Sequence, residues 1–189
     1  AQGCIYYQIF PERFARRGPA GAGMDDWNAA PTRDNVLGGN LGGIIDRIPY
    51  LSELGVECLY LNPIFTGDFN HKYATTDYFS VDPMFGTKDT LRELVARCHE
   101  AGIRVILDGV FNHSGIHFPP FEDLLKNGEE SRYRGWFYPK RFPIEIDPAC
   151  YECVGDYAAA QRRQRRGASL CARRAALLAA GGGHRRLAL

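Results

Sequence analysis

The sequence predicts an α/β fold built on a parallel sheet, and three observations support this class. Apolar segments that suit strands alternate with segments of helical spacing, in the order strand, helix, strand, helix, strand. Each connection between strands is long enough for a crossover to a parallel neighbour. In the third strand, residues 105–107 form an apolar run typical of parallel sheets that are covered on both faces.

The first half of this pattern begins with a strand at residues 4–10, which are rich in Ile, Tyr and Phe. A loop rich in Gly and Pro is expected from there to Gly43. Apolar residues at helical spacing then fill residues 44–54, and Gly55 is expected to end that helix. Pro49 predicts a break or a restart within it.

The second half begins with a strand at residues 56–61 and a loop of more than twenty residues. The loop carries several polar and aromatic residues, which favour a functional loop over disorder: Asn70, His71, Tyr73, Asp77, Tyr78 and Asp82. Thr90 and Glu93 predict a capping box for the next helix, and Gly102 is expected to end it. The third strand follows at residues 103–107.

Polar side chains follow the third strand directly. Asp108, Asn112 and His113 lie within six residues of its end. In barrels of alternating strands and helices, groups at the carboxyl ends of strands form the active site, so function is the favoured interpretation of these three. The alternative is structural, because Asp and Asn are ordinary turn formers and a single His is often a packing residue.

The six cysteines do not indicate a disulfide framework. Cys58 falls in a predicted buried strand and Cys98 on the apolar face of a predicted helix, so reduced core thiols are expected there. Cys150 and Cys153 form a C-x-x-C pair, which suits half a zinc site or a redox pair. Without a second pair or a His at ligand spacing, we interpret it as chance.

The formal net charge of +1 conceals two unlike segments. Residues 158–189 hold eight Arg and no Asp, Glu or Lys, so residues 1–157 carry 15 basic and 22 acidic side chains. The Arg-rich segment suits a basic arm for nucleic acid or an anionic membrane, or an amphipathic helix. We favour a third interpretation, GC-rich coding sequence read out of frame, because the composition changes within a residue or two.

The ends of the sequence bear on location. No apolar stretch is long enough to span a bilayer, and the start has no basic leader or cleavable apolar segment. The chain opens directly into a predicted strand, so we expect residues to be missing upstream. A cytoplasmic location is the favoured expectation.

Several ordered motifs resemble the α-amylase family of glycoside hydrolases, within it the neopullulanase and cyclomaltodextrinase branch. They are YQIFPERFA at 7–15, GGNLGGI at 38–44, YLSELGVECLYLNPIF at 50–65, NHKYATTDYFSVDPMFGT at 70–87 and ILDGVFNHSG at 106–115. The resemblance implies an incomplete TIM barrel of eight (β/α) units, here strands 1 to 3 with their helices. It assigns residues 1–108 to this barrel, 109–157 to an irregular inserted domain after strand 3, and 158–189 to a tail foreign to the family.

The resemblance also implies roles for individual residues. Tyr73 is expected to stack on a glucose ring, and His71 and His113 to donate hydrogen bonds to hydroxyls of that sugar. Asp108 is expected to hold the site together by pairing with an Arg, and Asn112 to stiffen its loop or bind calcium. An aromatic platform with polar groups around it suits a neutral sugar, which has an apolar face and a rim of hydroxyls.

The implied reaction is retaining hydrolysis of α-1,4- and α-1,6-linked glucans such as maltooligosaccharides, cyclodextrins and pullulan. Such cleavage needs two carboxyl groups about 5 to 5.5 Å apart. The family supplies them from later strands, and no residue here matches those motifs, so we name no catalytic residue and expect an inactive fragment. No cofactor is required; the weak calcium candidates are Asp25, Asp26 and Asn28.

Other functions stay open. A glucanotransferase or branching enzyme of the same family would share these strands. A non-catalytic remnant would bind glucan through Tyr73, or nucleic acid through the tail, although we do not expect nucleic-acid or membrane binding. A metal-dependent hydrolase on His113 and His117 needs both on one helix, which Ser114 and Gly115 argue against. A homodimer of the full-length enzyme is compatible with the resemblance.

Overall fold

The computed structural model describes residues 3–32, 34–111, 113–137, 139 and 141–146. The strands are β1 (Tyr6–Ile9), β2 (Cys58–Leu61), β3 (Phe65–Gly67), β4 (Thr75–Val81) and β5 (Arg104–Leu107). The helices are α1 (Pro11–Phe14), α2 (Leu41–Asp46), α3 (Ile48–Glu53), α4 (Lys88–Glu100) and α5 (Pro119–Asn127), followed by short 3₁₀ helices at Gly128–Glu130 and Arg134–Trp136.

The predicted parallel sheet is present, with β2 between β1 and β5. Ile9 pairs with Leu61, and Leu61 pairs with Leu107, so all three strands end at the same level. The Asp108 amide donates to the Leu61 carbonyl at 2.9 Å, which fixes the residue after β5 at that edge. The register therefore gathers the residues that follow the strands at one end of the sheet.

The first predicted helix is two helices, as Pro49 indicates. Pro49 lies in the first turn of α3, where its missing N–H costs no helical hydrogen bond. The expected loop up to Gly43 is wrong at both ends, because α1 (Pro11–Phe14) directly follows the first strand and α2 already begins at Leu41. Asn40 caps this start by accepting a hydrogen bond from the Gly43 amide at 2.8 Å, a local signal that the apolar spacing does not show.

The predicted capping box on α4 is wrong by one turn. Thr87, not Thr90, is the N-cap: its hydroxyl accepts from the Thr90 amide at 3.1 Å, and the Thr90 hydroxyl accepts from the Thr87 amide at 3.3 Å. Glu93 therefore lies within the helix. The predicted apolar face is confirmed, and the expected glycine ends the helix, since Gly102 has φ of 76°.

The long loop after β2 contains a β-hairpin that the sequence did not predict. Strands β3 and β4 pair antiparallel, with register shifts on both sides of Thr66. Periodicity misses such a hairpin because β3 is only three residues long and the pairing is irregular. The turn between the two strands, residues 68–74, carries His71 and Tyr73.

Two apolar clusters form the interior. The larger joins the parallel sheet to α2, α3 and α4, and its fully buried members include Leu41, Leu59 and Leu94. A smaller cluster forms around Phe121, Leu124 and Phe137 in the segment after β5, where no regular element was expected. The boundaries at 108 and 157 stay predictions, and residues 147–157 and the tail lie outside the described residues.

Cys58 and Cys98 are buried free thiols, as expected for core cysteines, and Cys4 is also free. Burial raises the pKa of the Cys98 thiol to about 12, so it stays protonated. Cys150, Cys153 and Cys171 lie outside the described residues. Within the described part of the chain, no helix combines the length and the apolar character needed to cross a membrane.

Candidate functional site

Tyr73 and Asp108 meet where the hairpin turn reaches the end of the sheet. The Tyr73 hydroxyl donates to Oδ2 of Asp108 at 2.8 Å, across 35 positions of sequence. Asp108 follows β5 directly, and its backbone amide is fixed on β2. Both residues are half-buried. This contact joins the hairpin to the carboxyl end of the parallel sheet, where barrel enzymes place their sites.

The Asp108 carboxylate also acts on a second phenol. Burial, and then the hydrogen bond to Asp108, raise the pKa of Tyr73 well above its ordinary value. The same two causes, in the same order, raise the pKa of Tyr60 on β2. Both phenols therefore stay protonated at neutral pH and act as donors toward the carboxylate.

His71 lies two residues before Tyr73 and faces the same turn. Its Nδ1 accepts a hydrogen bond from the Tyr73 backbone amide at 3.1 Å. In the neutral ring this leaves the proton on Nε2. The His71 and Tyr73 ring centroids lie 5.9 Å apart, and Phe69 stacks on His71 at 5.3 Å. The turn thus presents three neighbouring rings, one of them an imidazole.

His113 is attached to the hairpin through its backbone. The Tyr78 hydroxyl lies 2.7 Å from the Val110 carbonyl and 2.9 Å from the His113 carbonyl. The Gly115 amide donates to the Thr75 carbonyl at 2.7 Å, so β4 holds both ends of this loop. The His113 side chain is half-buried. Its loop therefore lies beside the hairpin that carries Tyr73.

The structure thus joins Tyr73 to Asp108 and His71 directly, and it holds the backbone of His113 on the same hairpin. Asn112 lies outside the described residues. Sequence reasoning missed Tyr60 as a partner of Asp108, since alternation along a four-residue strand gave no separate signal. It also noted Tyr78 only as a loop aromatic, because its carbonyl partners lie more than thirty positions away.

The zinc alternative has no support in the described part of the chain. No group of three or more His, Cys, Asp or Glu side chains that could hold a metal ion occurs there. His113 precedes α5 and so does His117, which means that they do not share a helix. His117 instead lies 3.1 Å from Glu122 through Nδ1.

Two of the three candidate calcium ligands, Asp25 and Asp26, already accept hydrogen bonds within their own loop. Asp25 accepts from the Val36 amide at 2.8 Å, and Asp26 accepts from the Asn28 amide at 2.7 Å. The Asp26 contact is that of a local turn, and the Asp25 contact joins two parts of the loop eleven positions apart. The described residues do not form a ready cation site, so no step below passes through calcium, and calcium binding stays a prediction.

Parallel strands joined by helical connections, with polar and aromatic groups at their carboxyl ends, are typical of barrel-type α/β enzymes. The model of the α-amylase catalytic domain matches residues 8–158. The chain belongs to the α-amylase family, whose members named below are α-glucan glycoside hydrolases. This confirms the resemblance seen in the motifs.

Curated relatives carry the names expected for the branch. A cyclomaltodextrinase of Geobacillus thermopakistaniensis is 54% identical over 147 residues, which cover 76% of this chain and 25% of that protein. Neopullulanase 2 of Thermoactinomyces vulgaris is 49% identical over 148 residues, with coverages of 76% and 25%. An intracellular maltogenic amylase of Bacillus subtilis is 46% identical over 146 residues, again covering 76% and 25%.

A solved structure gives the same result. The cyclic α-maltosyl-(1→6)-maltose hydrolase from Arthrobacter globiformis, in complex with that sugar, has a TM-score of 0.72 and 44% sequence identity. The match covers 77% of this chain and 33% of that one. The structural neighbours are TIM-barrel enzymes, and this chain matches their amino-terminal portion. It spans about a quarter of the length of the curated relatives it matches.

Proposed function

We propose that this chain supplies part of the substrate-binding cleft of an enzyme that hydrolyses α-1,4- and α-1,6-linked glucans. Maltooligosaccharides, cyclodextrins and pullulan are its proposed substrates. The relatives' names support this class of substrate. A cytoplasmic location is part of the proposal and is supported by the relative that is named intracellular. A homodimer of the full-length enzyme stays a prediction.

The hydrogen bond between Tyr73 and Asp108 carries the proposal. It fixes an aromatic ring beside a carboxylate at the carboxyl end of the sheet. A glucose ring has an apolar face that stacks on such a ring, and hydroxyls that polar side chains can bind. A neutral sugar needs no net charge for binding. This suits a site whose carboxylate, Asp108, is already engaged by the phenols of Tyr73 and Tyr60.

The proposed roles follow from this placement. Tyr73 stacks on a glucose ring, while His71 and His113 donate hydrogen bonds to its hydroxyls. Asp108 holds the Tyr73 hydroxyl and, in the complete site, an Arg. Asn112 stiffens the loop before His113. The donor on Nε2 of His71 supports its role, because Nδ1 is already an acceptor.

We assign neither the nucleophile nor the proton donor to this chain. Retaining hydrolysis needs two carboxyl groups about 5 to 5.5 Å apart. No sequence motif here matches those that supply them in the family. The polypeptide of 189 residues is therefore proposed to bind glucan and not to cleave it.

Calorimetric titration with maltohexaose tests binding. The Tyr73→Ala variant is expected to bind about tenfold more weakly or worse, because it loses the stacking platform. Tyr50→Ala is the matched control: Tyr50 lies on α3 with 48% of its surface exposed and takes no part in the proposed site. Cellohexaose, which has β-linkages, is the control ligand.

The outcomes separate the parts of the proposal. Unchanged binding by Tyr73→Ala, or equal binding of cellohexaose, would contradict the site. Release of reducing sugar from maltohexaose, cyclodextrin or pullulan by the pure polypeptide would contradict its lack of catalytic carboxylates. For the full-length enzyme, transfer products instead of hydrolysis products would identify a glucanotransferase.

A further inference from the structure

Lys72 has a backbone conformation that is unusual for its residue type. It lies between His71 and Tyr73 and has φ of 58°, the one positive φ of a non-glycine residue in the described part of the chain. Such a conformation costs free energy for a residue with a Cβ atom. It also lets the Tyr73 amide reach the His71 ring across a single intervening residue, at 3.1 Å.

The Lys72 side chain is unusual as well, because it is charged and buried. Only 6% of the residue is exposed. Its Nζ lies 2.8 Å from Oδ2 of Asp82 and donates to the Gly67 carbonyl at 3.0 Å. Gly67 ends β3, and Asp82 follows β4 directly. The lysine therefore reaches back along the hairpin and ties its turn to both strands.

Asp82 is equally fixed. It is 6% exposed, and its Oδ1 accepts from the Met84 amide at 3.0 Å. Its own amide donates to the Ile64 carbonyl at 2.9 Å. These two backbone hydrogen bonds hold Asp82 independently of the lysine, which makes Asp82 the fixed end of the pair.

The backbone of Lys72 is held from both sides. Its amide donates to the Phe69 carbonyl at 3.1 Å, and its carbonyl accepts from the Thr75 hydroxyl at 3.1 Å. The turn that places His71 beside Tyr73 therefore has its anchors at residue 72. A shift of this residue would move both rings, and with them the contact to Asp108.

Stability alone is a weak explanation for such a pair. Burying two charges costs desolvation free energy that their attraction often fails to recover, and apolar residues of similar size pack as well or better. The strained backbone adds a second cost at the same residue. Lys72, where both costs meet, lies between His71 and Tyr73. This position favours a role in placing those two residues.

We propose that Lys72 and Asp82 are a positioning pair: their ion pair fixes the turn that holds His71 and Tyr73 in place for a glucan. This inference rests on the proposed function, since it takes His71 and Tyr73 as glucan contacts. Neither Lys72 nor Asp82 touches the sugar. The pair acts through the turn, and it deepens the account of how the site keeps its geometry.

Removing both charges together separates placement from stability. Lys72→Met leaves Asp82 buried without its cation and is expected to lower the melting temperature. The double variant Lys72→Met with Asp82→Asn removes both charges but keeps an acceptor for the Met84 amide, and its melting temperature is expected to return toward that of the unchanged protein. In both variants maltohexaose is expected to bind at least tenfold more weakly, because the turn has lost its anchor. Lys126→Met, an exposed lysine at the end of α5, is the matched control for both measurements.

The double variant can also overturn the proposal. If it regains both its melting temperature and its affinity for maltohexaose, the pair serves stability alone and the proposal is overturned. If the unchanged protein does not bind maltohexaose, the proposed function fails, and titration of the Tyr73 phenol without sugar tests the pair by itself. A lower pKa of Tyr73 in the double variant than in Lys126→Met shows that the turn has moved away from Asp108. An unchanged pKa overturns the proposal.

Discussion

At the scale of single residues, the site depends on one carboxylate that serves two phenols. Asp108 accepts a hydrogen bond from the Tyr73 hydroxyl at 2.8 Å and, after burial, is the second cause of the raised pKa of Tyr60. A carboxylate with such donors is held in one orientation, and each phenol is kept protonated. The same contact thus fixes the ring that we propose as the glucan platform.

Replacing Asp108 by Asn is expected to lower the pKa of the Tyr73 phenol. Burial still raises that pKa in the variant, but the charge that disfavours the phenolate is gone. Absorbance of tyrosinate against pH, with Tyr73→Phe as the reference that identifies its step, measures the change. Asp89→Asn, an exposed carboxylate in the first turn of α4, is the control and should leave the step in place.

The raised pKa also has a consequence for stability at alkaline pH. A group whose pKa is higher in the folded state stabilises the fold fully below its unfolded pKa, about 10 for Tyr, and less as pH rises from there. The free energy of unfolding should therefore fall above about pH 10, and that of the Tyr73→Phe variant should fall less steeply. Identical slopes in the two proteins would contradict a raised pKa at Tyr73.

At the scale of elements, the start of α4 tests the structure against the sequence pattern. The structure places the cap at Thr87, whereas the pattern suggested Thr90 with Glu93. Thr87→Ala is expected to lower the free energy of unfolding by about 1 kcal/mol, since it removes a hydrogen-bonded N-cap.

Urea denaturation measures this free energy, and Glu93→Ala is the matched control in the same helix. Glu93 is exposed and lies past the cap, so its loss should change stability by no more than about 0.5 kcal/mol. The opposite ranking, with Glu93→Ala the more destabilising, would show that the helix starts one turn later than the structure has it.

Two adjacent glycines in α2 provide a second test. A Cβ atom on Gly43 would clash with the Ala15 carbonyl, because the backbone after α1 passes directly against this helix. A Cβ atom on Gly42 would instead lie 3.0 Å from Cδ and 3.2 Å from Cβ of Arg17, so that only this side chain, and no backbone, has to shift by a few tenths of an ångström. The close approach at Gly43 is what packs the first loop against the sheet's helices.

Gly43→Ala is therefore expected to destabilise the protein by about 1 to 3 kcal/mol. Gly42→Ala is expected to cost clearly less than Gly43→Ala, because only the Arg17 side chain has to shift and Ala is the better helix former. Thermal unfolding followed by circular dichroism ranks the two variants. Equal effects would mean that α2 does not approach residue 15 as closely as the structure shows.

At the scale of the whole molecule, the sequence predicts what depends on local chemistry. The parallel strands were visible in their apolar runs, and the ends of two helices in Gly55 and Gly102, both with positive φ. The position of Asp108 at the end of β5 was predicted for the same reason, since it follows directly from the strand boundary.

What the sequence did not predict depends on contacts between distant residues. The hairpin of β3 and β4 forms through irregular pairing, so no alternation marks it. Lys72 gave no signal, because its strained backbone and its buried partner ten positions away appear only in three dimensions. The motifs indicated Tyr73 as a sugar platform, but its contact with Asp108 spans 35 positions and needed the fold.

The central claim is that Tyr73 provides the surface on which a glucan lies, and ring signals test it most directly. Carbon-13 labelling of the tyrosines and titration with maltohexaose would report each ring separately by nuclear magnetic resonance. We expect the Tyr73 signal to shift and saturate with the sugar, while exposed Tyr6 and Tyr50, on β1 and α3, stay in place. A Tyr73 signal that does not move while maltohexaose binds would contradict the account.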